Sequence, residues 1–156
     1  MDIVTLGNGT GQATLLYGLR EYACGVTAIV GVTDNGGHSG HLRHLLHLPQ
    51  VGDTRQCLSA LLDAESVWGH LLRHRFTDGE LCGISVGNLM LAALAQRHGS
   101  LHAAVEDVRQ AAGLRQRVFP VSDGDTHIGA ELEDGRCVIG EWEIMQRQLQ
   151  TPIARL

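Results

Sequence analysis

Four short stretches combine glycine with Asp, Ser, Thr or Asn at spacings that could hold an anion. The first, Gly7-Asn8-Gly9-Thr10-Gly11, follows the β-branched run Ile3-Val4-Thr5-Leu6 and precedes Leu15, Leu16 and Leu19 at helical spacing. A backbone without β-carbons turns tightly and approaches a ligand closely, and the free N–H groups of the helix start attract phosphate. A dinucleotide fingerprint, G-x-G-x-x-G, would need a small residue where Gln12 stands, so the loop expects phosphate or nucleotide without that signature.

The second stretch, Thr33-Asp34-Asn35-Gly36-Gly37-His38-Ser39-Gly40, ends another β-branched run, Val26 to Val32. Ligands of open α/β sheets bind at the carboxyl ends of such strands. Asp34 has three readings there: a Mg²⁺ ligand bridging phosphate oxygens, a group orienting a substrate hydroxyl, or a cap of the following turn. Arg43, one turn on, offers a planar fork suited to phosphate. His38, His41, His44 and His47 stand three apart, a ladder in which each step drifts about 60° round a helix. Only adjacent pairs could share an ion, so the reading is a polar face touching ligand through His38 or His41. Asp53 and Arg55 follow Gly52 at a helix start, where they serve ligand positioning or capping, Asp53 as N-cap. In the fourth stretch Gly83, Ser85 and Gly87 have the spacing of a nucleophile elbow, but no convincing strand precedes them. Ser85 and Asn88 are read instead as donors to ligand from a helix N-terminus.

The elements that must position these residues alternate. A strand over residues 3–6, a helix to Tyr22 and a strand over 26–32 make a βαβ unit, whose second strand, apolar on both faces apart from Thr27, reads as buried and parallel. Helices are expected around Leu42–Leu46, over 54–62, over 67–76 with Trp68, Leu71 and Leu72 inward, over 89–98, and over 101–112 capped by Ser100. Residues 117–120 read as a short strand. From Thr126 to Glu143, alternating apolar residues as far as Ile144 flank Asp134-Gly135, a two-residue hairpin signal.

Composition narrows the chemistry. A chain of 156 residues, 44% hydrophobic, supports one domain with a core. The formal charge of -5 argues against a nucleic-acid partner bound through bulk electrostatics. The sequence has no Lys, which excludes a P-loop lysine and a Schiff-base lysine. Cys24, Cys57, Cys82 and Cys137 are scattered singly and read as small buried hydrophobes in a reducing compartment. No signal peptide opens the chain and no apolar run reaches membrane-spanning length, so the expectation is a cytoplasmic protein with no membrane partner.

In order and spacing the four stretches resemble the patterns G-G-G-T-G, T-D-D-G-G-S-S-G-R-L-R, G-D-x-R-N-C-L and S-x-G-N-L of the bacterial gluconeogenesis factors. These are CofD-like proteins (UPF0052), relatives of 2-phospho-L-lactate transferase, and the resemblance runs from Ile3 to the chain end. It implies an α/β, Rossmann-like three-layer α/β/α fold with a mainly parallel sheet and a C-terminal β-hairpin. Residues 1–156 would form one CofD-like nucleotide-binding domain, incomplete at its C-terminus, since Pro152 to Leu156 reads as the opening of a further strand. The pocket it implies is lined by Gly9, Thr10 and Gly11, by Thr33, Asp34, Asn35, Gly36, Gly37, His38, Ser39, Gly40 and Arg43, by Asp53 and Arg55, and by Ser85, Gly87 and Asn88. The form of the second loop resembles the regulatory branch, which binds nucleotide sugar or dinucleotide, requires no cofactor, and affects central carbon metabolism and cell shape. The alternative is a transferase that moves phospholactate from a nucleotide-activated donor, with Asp34 as ligand to Mg²⁺. Asn8, Asn35, His38 and His41 depart from the family pattern, Asn35 by removing one charge from any Mg²⁺ site. Members of that family are considerably longer, and strands missing from this chain would leave a sheet edge unpaired, which implies a homo-oligomer or marginal stability.

Overall fold

The computed structural model describes residues 1–22, 25–146 and 151–156. Strand β1 (Asp2–Gly7) lies parallel to β2 (Gly25–Val30), from Asp2↔Gly25 to Gly7↔Val30, and β2 lies parallel to β3 (Arg117–Pro120). Helix α1 (Gly9–Leu19) forms the first crossover. Five helices fill the second: α2 (Gly37–Leu46), α3 (Gly52–Leu61), α4 (Val67–Arg73), α5 (Val86–His98) and α6 (Leu101–Ala111). With the strand order β1-β2-β3 both crossovers step in the same direction, so right-handed connections set their helices on one face.

That face carries the period-two residues Val26, Ala28 and Val30 of β2 and Val118 of β3, buried in one cluster with Leu16 of α1, Leu58 of α3 and Val105 and Val108 of α6. On the opposite face Val4 and Leu6 are 65% and 79% exposed. The class is the mixed, mainly parallel α/β fold that the alternation predicts; of three layers, the described residues supply the sheet and one helical layer. Helix α3 is buried on nearly every side, and its first turn carries Asp53, Thr54 and Arg55 inside with it. A buried helix start therefore brings polar chemistry to the carboxyl ends of β1 and β2.

Past β3 a second sheet forms, in the order β5-β4-β6: β4 (Gly129–Leu132) pairs antiparallel with β5 (Cys137–Ile139) and β6 (Ile153–Arg155). Gly135 N–H donates to Leu132 O and Leu132 N–H to Arg136 O, with Gly135 at φ +82. This is a turn closed by a glycine bulge in place of the two-residue loop expected, because the left-handed conformation falls on one residue only. Ile144, read as part of the hairpin pattern, belongs to a short helix α7 (Glu141–Gln146) that begins after Gly140.

Other boundaries shift by physical causes. Asp53 lies in the first turn of α3, whose N-cap is Val51; the Gln50 carbonyl oxygen Oε1 accepts from Asp53 N–H at 3.0 Å and so serves the helix start. Helix α4 stops at Arg73 rather than Phe76, and Ser66 caps it by accepting from Gly69 N–H. Ser100 caps α6, as its type predicts. Cys57 is buried, but Cys82 and Cys137 are exposed, one in a loop and one on β5, and so do not act as core hydrophobes; Cys24 lies outside the described residues. No helix among the described residues is long and apolar enough to cross a membrane.

Candidate functional site

Two helices start at adjacent strand ends. Asn8 is the N-cap of α1, in extended backbone, and Gly9 follows at φ +63. Gly36 is the N-cap of α2, and its N–H is taken by Asp34 Oδ1 at 2.8 Å. The two loops are neighbours, since a β-carbon on Gly31 would lie 3.5 Å from the Asn8 side chain. Asn8, Thr10, Gly11, Gly37 and His38 are exposed, while Gly9, Thr33, Asp34, Asn35, Gly36 and Ser39 are half-buried. First-turn amides have no intrahelical acceptor, so this rim is a surface of N–H donors. One donor already faces an acceptor, because the Gly9 amide acts on the Asp53 carboxylate and favours its charged form. Burial first, and then the negative charges of Asp34 and Glu141, push the Asp53 carboxyl above its ordinary value, against the lowering effect of Gly9 and Gln50.

The rest of the sequence-predicted set is turned inward. Arg55, 8% exposed, donates from Nε to Asn88 Oδ1 at 2.9 Å and from its guanidinium tip to Leu72 O at 2.9 Å. Asn88 Nδ2 in turn donates to Ser39 Oγ at 2.8 Å. Gly87 lets the Arg55 side chain pass, for a β-carbon there would be 2.9 Å from Arg55 Cδ. These residues form a buried bracket that ties α3, α4 and α5 to the first turn of α2. Burial, and secondarily Arg75, lower the Arg55 guanidinium to about 10. Two hydroxyls of this region, Thr54 Oγ1 and Ser85 Oγ, are buried without a hydrogen-bond partner. Gly40 is buried under the Asn35 carbonyl, a position any larger residue would overlap.

Arg43, 3% exposed, is likewise engaged by protein. Its Nε donates to Asp125 Oδ1 at 2.6 Å, one terminal nitrogen reaches Val32 O, Thr33 O (2.8 Å) and Asp34 O, and the other bonds Thr126 O. It fastens the end of β2 to the segment after β3. Of the histidine ladder, His38 packs against Gly83, whereas His41, His44 and His47 share a cleft of about 440 Å³ with His127 and Asp125. A second cleft of about 440 Å³ runs from Thr10 past Tyr17, Gln56 and Arg73 to Arg55.

Sequence reasoning missed α7. Thr33 Oγ1 donates to Glu141 Oε2 at 3.2 Å, Asn35 Nδ2 to Glu143 Oε2 at 2.6 Å, and Trp142 N–H to Asn35 Oδ1 at 2.8 Å. The second loop is clasped by residues more than one hundred positions later, and the one sequence signal was Gly140 before Glu-Trp-Glu. Asn35 thus spends both atoms of its amide on α7. Among the described residues no three His, Cys, Asp or Glu side chains form a group that could hold a metal ion. Asp34 and Asp53 alone do not make a fitting donor set for a resident Mg²⁺, and Asp34 Oδ1 is turned onto Gly36. No strand precedes Gly83, where a 3₁₀ turn (Gly79–Leu81) and a single bridge between Arg75 and Ser85 stand instead, which removes the scaffold of a nucleophile elbow.

Comparison with known proteins gives one consistent result. A family model described as 2-phospho-L-lactate transferase CofD matches residues 3–156. The putative gluconeogenesis factor of Thermotoga maritima is 40% identical over 148 residues, which cover 94% of this chain and 47% of the relative. The gluconeogenesis factor of Bacillus subtilis is 43% identical over 140 residues, covering 89% of this chain and 44% of the relative. A crystal structure of a UPF0052 family protein from Bacillus halodurans matches with a TM-score of 0.88 at 37% identity, over 99% of this chain and 49% of that one. The chain spans about half the length of the curated relatives it matches.

Proposed function

Because this chain belongs to the 2-phospho-L-lactate transferase CofD family, we propose that it is a nucleotide- or nucleotide-sugar-binding regulator of the gluconeogenesis factor type, acting on central carbon metabolism and cell shape. One observation carries the reading. Helix α1 begins at Gly9 just past the end of β1, α2 begins at Gly37 in the loop after β2, and the two loops touch where Gly31 meets the Asn8 side chain, which supports reading the first-turn amides of both helices as one edge. A diphosphate is the ligand whose charge and acceptor oxygens such an edge suits. The inward-turned Arg55–Asn88–Ser39 bracket supports the rim without occupying it.

The family description favours a second reading, a 2-phospho-L-lactate transferase-like enzyme that uses a nucleotide-activated donor. Calorimetric titration with UDP-sugars, GDP and NAD(H), each with and without Mg²⁺, separates the two. Binding that is independent of Mg²⁺ and leaves the ligand intact supports the regulator. Turnover that requires added Mg²⁺ supports the transferase, and no heat with any ligand refutes both.

A further inference from the structure

Aromatic residues are scarce in this chain, with two Trp, two Tyr and two Phe, and the two tryptophans have opposite settings. Trp68 packs against the core, whereas Trp142 is 48% exposed. A single exposed aromatic needs no explanation by itself, but Trp142 is fixed in place. Its backbone N–H donates to Asn35 Oδ1, and its neighbours Glu141 and Glu143 are held by Thr33 and Asn35. Its benzo ring lies on Gly36, where a β-carbon would come within 2.8 Å of Cε3 and 3.4 Å of Cδ2. Gly36 is the N-cap of α2, so the indole sits directly beside the first-turn amides of the anion-binding rim.

A half-exposed indole seated on Gly36 beside a phosphate cradle, on a backbone held by Asn35, has the form of a stacking platform, because every nucleobase offers a π-face and an aromatic side chain has few torsions to lose on contact. We propose that Trp142 stacks the nucleobase of a nucleotide whose phosphates lie at the first turns of α1 and α2. The inference rests on the nucleotide-binding reading above and adds to it the residue that meets the base. Glycine at position 36 is then required for space, since any β-carbon there would displace the indole from its seat.

The test uses the whole chain with ADP, GDP, CDP and UDP, inorganic pyrophosphate and glucose 1-phosphate as probes. At least one nucleoside diphosphate should bind more tightly than pyrophosphate. Trp142→Ala should weaken that nucleotide by roughly 5- to 100-fold, the range of one base–aromatic stack, and change pyrophosphate affinity by less than about twofold. Trp142→Phe should keep most of the nucleotide affinity, which guards against a variant that merely misfolds. In a Trp68→Phe background, the nucleotide should quench Trp142 fluorescence and pyrophosphate should not. Equal losses for nucleotide and pyrophosphate, or no loss for either, would overturn the platform while leaving phosphate binding intact. Trp142 dependence confined to glucose 1-phosphate would overturn base stacking in favour of a sugar ring. Failure of the wild-type chain to bind any probe would remove the nucleotide reading and the platform together.

Discussion

Replacing Asn88 tests whether the buried bracket, rather than a direct ligand contact, is what this residue provides. Asn88 is 1% exposed; it accepts from Arg55 Nε at 2.9 Å and donates to Ser39 Oγ at 2.8 Å. In Asn88→Ala the Arg55 Nε–H is left buried without an acceptor, a loss of about 1.5–3 kcal/mol for a bond to a charged group. Ser39 is half-buried and turns to water, so its loss is smaller, about 0.5–1 kcal/mol. The sum is about 2–4 kcal/mol, which for a domain of this size lowers Tm by roughly 5–15 °C. Asn88→Asp keeps an acceptor for Arg55 and lets the Ser39 hydroxyl reverse and donate, and its charge faces a guanidinium whose pKa burial has lowered to about 10. Its cost at neutral pH is therefore at most about 1 kcal/mol, and a carboxylate so paired loses its advantage over Ala as pH falls below about 4. Urea denaturation of the three proteins, followed by circular dichroism at neutral pH, decides the matter. An Ala variant within about 1 kcal/mol of the parent, or an Asp variant no better than Ala, refutes the bracket.

Asn35→Asp, which supplies the second acid of the family pattern, should lower stability by about 1–2 kcal/mol because the new carboxylate faces Glu143; Glu143→Gln in the same chain should restore it, and a neutral Asn35→Asp single variant counts against the clasp. Asp53 has a folded-state pKa raised above 3.8 by burial and then by Asp34, so its ionised form works against folding at neutral pH and the penalty vanishes below the unfolded value. Asp53→Asn should accordingly gain stability over the parent at pH 7, and the gain should shrink to nothing below about pH 4; a pH-independent difference would contradict this. Native-state thiol labelling should modify Cys82 and Cys137 while Cys57, whose thiol burial and then Asp53 push up to about 12, reacts only on unfolding.

The regular elements were legible because each carries its own period. Val26, Ala28 and Val30 alternate as a buried strand must, and Ala104, Val105 and Val108 recur at helical spacing with Ser100 as a cap. The four ordered stretches were legible too, for the same local reason that glycine and hydroxyl residues mark turns and helix starts. What the sequence could not disclose is direction. Arg43 reads as a fork for phosphate and Arg55 as a ligand-positioning or capping group, yet the carbonyls of Val32, Thr33 and Thr126 surround one, and Asn88 with Leu72 surrounds the other. Whether an arginine faces out or in depends on partners 33 or 83 positions away, and no local pattern encodes them. The pairing of Asn35 with Glu143 spans 108 positions and was hidden for the same reason. Asp53 was displaced from its expected capping role by a nearer competitor, the amide of Gln50.

The inward turn of both arginines bears on how the rim handles charge. With no Lys in the chain and with Arg43 and Arg55 bonded within the protein, the carboxylates Asp34, Asp53 and Glu141 are the charged groups that act on one another and on the Gly9 amide at this rim. A phosphate arriving there meets directional N–H donors and a local negative field instead of a pool of mobile cations. Attraction of that kind acts over hydrogen-bond distances, well inside the screening length of about 10 Å at 0.1 M salt. Nucleotide affinity should therefore change by less than about threefold between roughly 50 and 500 mM potassium chloride, because little long-range attraction exists for salt to remove. A steep fall in affinity with salt, of the kind that guanidinium contacts produce, would mean that one of the two arginines leaves its carbonyl partners to meet the ligand. The division into an outer amide rim and an inner arginine bracket would then be wrong.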